Sequence, residues 1–537
     1  MEDTAFAASV LPWWVCLNYN RAMSARLQAH AASLVLLAFC ALALPARAVE
    51  WTVAIYAGID EEEIAQASDP VFERLSKSDL PAAVQLLIEK DGWGDGGVVR
   101  IEKRGKSRAT RIDLPEHDSS DPVRFAAFLA WAKSRARGKH TLLIMATHAW
   151  GWKGIIQDFT VPGEPGKNRM MPLRVFTETL RQSGLRPEAV VMDACVLGNV
   201  DAVHELLPIT RYLLVSQRET PFQGLPYDGL FEELARPGMT ARRLAREFPE
   251  RYVREYGRDG RLSKPEGEFD VVTFAGLDLA RWGPFAERFR AFTAELARAG
   301  LRQQLAENPD WAELFNDDDH NADLLETIRR LPLLLHDESV ARLARELDAL
   351  IGYPDEQSRR TGEALTISPA KGAGFVLRVQ RDPYVPETKA LEHFEQLWDD
   401  ANQDLTQPKL QYALEGDWIR IAGETGPAAF AVRPWLPGVK EVRLEYLPAG
   451  GDAKAEVFKR ERDWVSATRF GPRSFLLGEA HTQGAPFIHG LGILLHPLMQ
   501  DDEIKSEDRL TGLRGPAAYR ALGWNRETGW GELTLLK

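Results

Sequence analysis

Val190-Val191-Met192-Asp193-Ala194-Cys195-Val196-Leu197-Gly198-Asn199 runs from an apolar, β-branched stretch into an acid, a small residue, a cysteine and a glycine. A short apolar run closing on turn chemistry is the pattern of a strand buried in a parallel sheet. In open α/β sheets, ligands and catalytic groups gather beyond the carboxyl ends of the strands. Cys195 falls at such an end, and it is the only cysteine after residue 48.

Working outward, Thr141 to Ala146 is a second buried strand, and it leads directly into Thr147-His148-Ala149-Trp150-Gly151-Trp152. Trp51 to Ala57 is another, ending in the acidic turn Gly58-Ile59-Asp60-Glu61-Glu62-Glu63. Val84 to Ile88 closes on the Gly-rich turn Asp91 to Gly97, from which Val98 to Lys103 returns as a hairpin. Asp121-Pro122 sets an N-cap and a first helical residue. Helices from Leu173 to Ser183 and through Ala202 to Leu206 alternate with these strands, and Arg211 to Ser216 adds one more. The βαβαβ order predicts an α/β fold, a mostly parallel sheet with helices on both faces. Helices follow at Ala241 to Tyr256 and Asp278 to Ala299. Residues 301–408 read as helical and 409–480 as a β-rich insertion, with 481–537 returning to complete the core.

Arg21 and Arg26 precede the apolar stretch Ala31 to Leu44, which ends in Pro45-Ala46-Arg47-Ala48. This is the pattern of a secretory signal peptide over residues 1–48, with cleavage after Ala48. Met23 is an alternative start. The apolar stretch is shorter than the ~20 residues that a spanning helix needs, so membrane attachment is expected only through an uncleaved leader. Cleavage removes Cys16 and Cys40 and leaves one thiol, so no internal disulfide is expected. A formal net charge of −12 argues against a nucleic-acid partner, which calls for clustered basic residues. The 45% hydrophobic and 27% charged composition is that of a globular chain.

A cysteine at a strand end serves packing as readily as catalysis. The neighbouring strand, however, ends in a histidine, and a thiol beside an imidazole becomes a nucleophile able to attack a carbonyl carbon. The Cys195 N–H at the strand-to-helix turn would supply one oxyanion donor. His148 and Cys195 are therefore the candidate pair. The other histidines, from His117 to His496, read as surface or structural. His481, His489 and His496 lack zinc-site spacing. The acidic link 316–319 lacks the Gly and terminal Glu of an EF-hand. No cofactor or metal is expected, with calcium left open.

These motifs resemble the clostripain family of cysteine peptidases. The stretches that carry the resemblance are Trp51 to Tyr56 with Asp60, Thr147 to Trp152 with Asp158, and Met192 to Asn199. Ser216 to Asp228, Gly276 to Leu279 and Tyr519 to Leu533 add to them. The resemblance implies a caspase-like fold over 49–300, with Cys195 as nucleophile and His148 as base. It further implies an oxyanion site built from the N–H groups of Ala149 and Cys195, and Asp193 in a pocket for Arg or Lys side chains. Glu219 and Asp228 are further candidates for that pocket. Where the family has His-Gly, this chain has His148-Ala149. If that position needs a positive φ, alanine replaces glycine poorly. Trp150 and Trp152 read equally as a substrate wall or as core aromatics. The basic residues Lys167 and Arg169 in the Val161 to Met171 loop mark an expected self-cleavage segment. The function expected is an exported cysteine endopeptidase acting on peptides or proteins after Arg or Lys, through a thioester. The alternative is a catalytically silent relative that binds peptides or surfaces outside the cytoplasm.

Overall fold

The computed structural model describes residues 49–93, 97–161, 169–256, 260–262, 272–307, 321–351, 365–367, 375–381, 410–415, 418–423, 430–432, 439–446, 453–459, 465–471, 473–482, 490–494, 507–508 and 513–534. The leader, Lys167, the 316–319 link, His320, His393, His489 and His496 lie outside the described residues. Among those described, no helix is long and apolar enough to cross a membrane.

The strands are β1 (Trp51–Gly58), β2 (Val84–Asp91), β3 (Val98–Arg104), β4 (Thr110–Leu114) and β5 (His140–Thr147). They continue with β6 (Ile155–Asp158), β7 (Arg169–Met171), β8 (Ala189–Asp193), β9 (Tyr212–Val215) and β10 (Thr273–Asp278). Five of them pair in parallel at the centre of one sheet, in the order β2-β1-β5-β8-β9. Antiparallel strands flank this centre: β3 and β4 on one side, β10 on the other. β6 and β7 form a separate antiparallel pair.

Alternation along each central strand feeds two cores, as the period-two geometry of a strand requires. Val53 and Ile55 of β1 join Leu142, Ile144 and Val191 against the helices Glu62–Lys77, Tyr227–Leu234 and Ala241–Tyr256. Ala54 and Tyr56 join Met145, Val190 and Met192 against Pro122–Arg135, Leu173–Ser183 and Trp282–Arg298. Asp121 caps its helix as read, its side chain accepting the Val123 N–H at 2.8 Å.

Two departures are long-range. Strand Leu476–Thr482 pairs with β10, and Val465–Arg469 pairs beyond it, so the end of the stretch read as an insertion completes the main sheet. Within 301–408 the helices Leu324–Leu335 and Glu338–Ile351 form, but Leu365–Ile367 and Phe375–Arg381 are strands. Phe375–Arg381 lies at the centre of a second, five-stranded antiparallel sheet. The Val376, Arg378, Gln380 alternation suits a strand with one polar face. β4, unread in the sequence, is a short, mostly exposed strand with charged residues, as suits a sheet edge.

β1 has β2 on one side and β5 on the other, so the direction of winding reverses there. The crevice outside the carboxyl ends of strands at such a reversal is where α/β sheets bind ligands. Asp60 and Glu61 follow β1, His148 follows β5, and Cys195 lies just beyond β8.

Candidate active site

The turn after β5 is held by the Ile156 N–H donating to the His148 carbonyl at 3.0 Å and the Trp150 N–H donating to Gly154 at 3.0 Å. This bridge leaves the Ala149 N–H outside it. Among the described non-glycine residues the positive φ values belong to Ile156, Val196 and His336, so Ala149 needs no glycine-like backbone. Its methyl group packs into the core, and the strain expected of alanine at this position is absent.

The His148 side chain is mostly buried. Its Nε2 lies 2.5 Å from Glu61 Oε2. Its ring stands edge-on to Phe159 at 5.3 Å. Burial lowers the imidazole pKa, and the Glu61 carboxylate opposes that shift. The segment carrying Phe159 is tied to β1's end, since Asp60 accepts the N–H groups of Phe159 (3.0 Å) and Thr160 (2.7 Å).

Cys195 Sγ sits 3.6 Å from Thr220 Oγ1 and accepts the Thr220 N–H at 3.4 Å. Burial pushes the thiol pKa up, the Thr220 contacts pull it down, and the charges of Glu219 and Asp193 push it up further. Val196 has φ 48, a left-handed conformation that costs a β-branched residue about 1–3 kcal/mol and clusters at functional sites. The surroundings hold it there. The Val196 N–H donates to the Arg218 carbonyl (3.1 Å), and the Val196 carbonyl accepts from Asn199 Nδ2 (2.9 Å). Ile156, in the histidine turn, has φ 60. A Cβ on Gly151 would stand 3.3 Å from the Val196 carbonyl, so the two loops pack on one another.

His148 and Cys195 line one cleft of about 500 Å³, open to solvent, with Asp193 and the apolar side chains of Ile59, Ile64, Phe72, Phe222 and Tyr227. Asp193 Oδ2 accepts the Leu225 N–H at 2.9 Å and the Tyr227 hydroxyl at 3.2 Å, and burial pushes the carboxyl pKa up to about 7. Glu219 adjoins Thr220 outside the lining. Asp228 also lies outside it and pairs with Arg74 at 3.3 Å in a half-exposed contact. The helix beginning at Tyr227 turns Tyr227 inward and Asp228 outward.

Trp150 is exposed and donates Nε1–H to Gln157 Oε1 at 2.8 Å, whereas Trp152 packs against Tyr519 at 5.2 Å. Arg169 begins β7 and pairs with Asp118 at 3.1 Å. Among the described residues no group of three or more His, Cys, Asp or Glu side chains is arranged to hold a metal ion.

The sequence reading missed Glu61, Thr220 and Tyr227. The acidic turn after β1 and the Leu225-Pro226-Tyr227-Asp228 run were the signals available for two of them.

Over residues 56–296 the chain matches the model of the Clostripain family, the family its motifs resemble. That match supports a cysteine peptidase. No curated protein matches. Among solved structures, a secreted C11 cysteine protease from Bacteroides thetaiotaomicron in complex with an irreversible peptide inhibitor is 16% identical, over 56% of this chain and 82% of that one, with a TM-score of 0.43. An inactive zymogen C11 protease from Parabacteroides distasonis is 12% identical, over 56% and 82%, with a TM-score of 0.39.

Proposed function

We propose that this chain is an exported cysteine endopeptidase that cleaves after basic residues, with Cys195 as nucleophile and His148 as acid and base. The observation that carries this reading is the meeting of His148, Cys195 and Asp193 in one cleft at the strand ends. Burial disfavours both the thiolate and the imidazolium, so the resting pair is neutral. The Cys195 proton passes to His148 as Sγ attacks the carbonyl carbon of the peptide. The developing oxyanion faces the N–H groups of Cys195 and Ala149. The C–N bond then breaks, the amine leaves with the proton from His148, and a thioester remains. Water activated by His148 hydrolyses the thioester, releasing the acid and restoring the thiol. The leader over residues 1–48 supports export.

Labelling tests this reading. Incubation with a Lys- or Arg-directed irreversible peptidyl electrophile, followed by peptide mapping, is expected to modify Cys195. Labelling should be lost in His148→Ala and blocked by a basic substrate. The contact between the thiol and Thr220 favours a second reading, a silent peptide-binding protein. Modification of Cys195 only after unfolding would replace the first reading with the second.

Glu61 acts as a positioning residue for His148. Glu61→Gln is expected to lower kcat/KM by about tenfold or more. Because the carboxylate favours imidazolium, its loss lowers the His148 pKa further, and the acid limb of the kcat/KM profile should move to lower pH. A loss of activity with an unmoved limb would make Glu61 merely structural.

A further inference from the structure

We infer that the cleft selects lysine over arginine at the residue whose carbonyl is attacked, because Asp193 offers a side-chain cation a single carboxylate oxygen. The inference rests on the peptidase reading and deepens it. Asp193 is the only acidic residue among the described residues that line the cleft.

Its two hydrogen bonds both end on Oδ2, from the Leu225 N–H at 2.9 Å and the Tyr227 hydroxyl at 3.2 Å. The backbone covers that edge of the carboxylate as well. Gly224 has φ 69 and packs so closely that a Cβ there would stand 2.6 Å from Oδ2. What remains for a substrate is Oδ1.

A guanidinium binds a carboxylate best as a planar fork, with two parallel N–H bonds to two oxygens. Here one tine of the fork meets an oxygen already saturated and shielded. Much of the described lining is apolar (Ile59, Ile64, Phe72 and Phe222), and any N–H of the rigid plane left unpaired against it is penalised. An ammonium is a compact charge with three rotatable donors. One donor suffices for Oδ1. The rotatable others suit a second lining acceptor such as Ser68 Oγ, whose own hydrogen is given to the Ile64 carbonyl at 2.7 Å.

The test is a matched pair of fluorogenic peptides differing only in Lys or Arg before the scissile bond. The expected kcat/KM ratio is at least about tenfold in favour of lysine. Tyr227→Phe removes one donor from Oδ2 while keeping the ring, and it should bring the ratio toward unity, mainly by improving the arginine peptide. A wild-type ratio at or below one overturns the inference, and so does a ratio that Tyr227→Phe leaves unchanged. If neither peptide is hydrolysed, the peptidase reading fails. Titration of Cys195→Ala with the same two peptides then judges the pocket on its own. Tighter lysine binding sustains the inference, and equal or arginine-favouring binding overturns it.

Discussion

Asp193→Asn is expected to lower kcat/KM for basic peptides by about 100- to 1,000-fold, the effect of leaving a desolvated substrate cation without its charged partner. The amide keeps the size of the side chain and can still accept from Leu225 and Tyr227, so the fold should survive. The pH dependence gives a sharper check. Burial pushes Asp193 up to about 7, so below neutrality the carboxyl is protonated and must ionise before it can hold a cation. Binding of a lysine peptide to Cys195→Ala, which has no nucleophile to titrate, should weaken as pH falls from 8 to 6. It should approach a tenfold loss per pH unit below 7. Adding Asp193→Asn to that variant should flatten the curve. A single-variant curve that is already flat would remove Asp193 from the pocket.

Asp91→Asn is expected to stabilise the protein above neutral pH. Asp91 ends β2 almost fully buried, and neither carboxylate oxygen receives a hydrogen bond. The Ser119 hydroxyl beside it donates to Asp158 at 3.1 Å instead. Burial raises Asp91 to about 9, with the charges of Glu116, Asp158 and Asp60 adding to the rise. Glu116 is raised to about 7 and Asp158 to about 6, both chiefly by burial. A carboxyl whose folded pKa lies above its unfolded value holds a proton that the unfolded chain has released. Its stabilising contribution is complete below pH ~4 and is lost as pH rises toward the folded value. The wild type should therefore unfold about 2–5 °C lower at pH 8 than at pH 5. Asp91→Asn, neutral at both, should recover most of that difference at pH 8. Equal pH slopes in wild type and variant by thermal unfolding would show that Asp91 is already ionised.

How much of this was legible in the sequence depended on whether the determinant was local. The apolar runs at 53–57, 141–146 and 189–193 state their own burial, and each becomes a central strand. His148 and Cys195 could be read because both lie at the ends of such runs. Asp121-Pro122 carries its capping chemistry in two adjacent residues. Glu61 could not be read. It belongs to an acidic turn that looks solvated, and its partner His148 arrives from a different strand. Thr220 meets Cys195 only because the segment after β9 folds back over β8's end. The strand at 476–482 is nearly two hundred residues from its partner β10 in sequence, and nothing local in it, or in the edge strand 465–469 that pairs with it, names that sheet. Asp228 lies one step of helical rotation from the inward Tyr227, an orientation that the four-residue run does not state.

The Gly492 N–H donates to the Gly198 carbonyl at 2.7 Å, which places a brace made late in the chain on the loop that follows the cysteine. This sets a schedule for synthesis. A ribosome that has released the chain only as far as β10 holds a sheet with an open antiparallel edge and a cysteine loop lacking that brace. The loop after Cys195 is therefore completed only by residues made late in the chain.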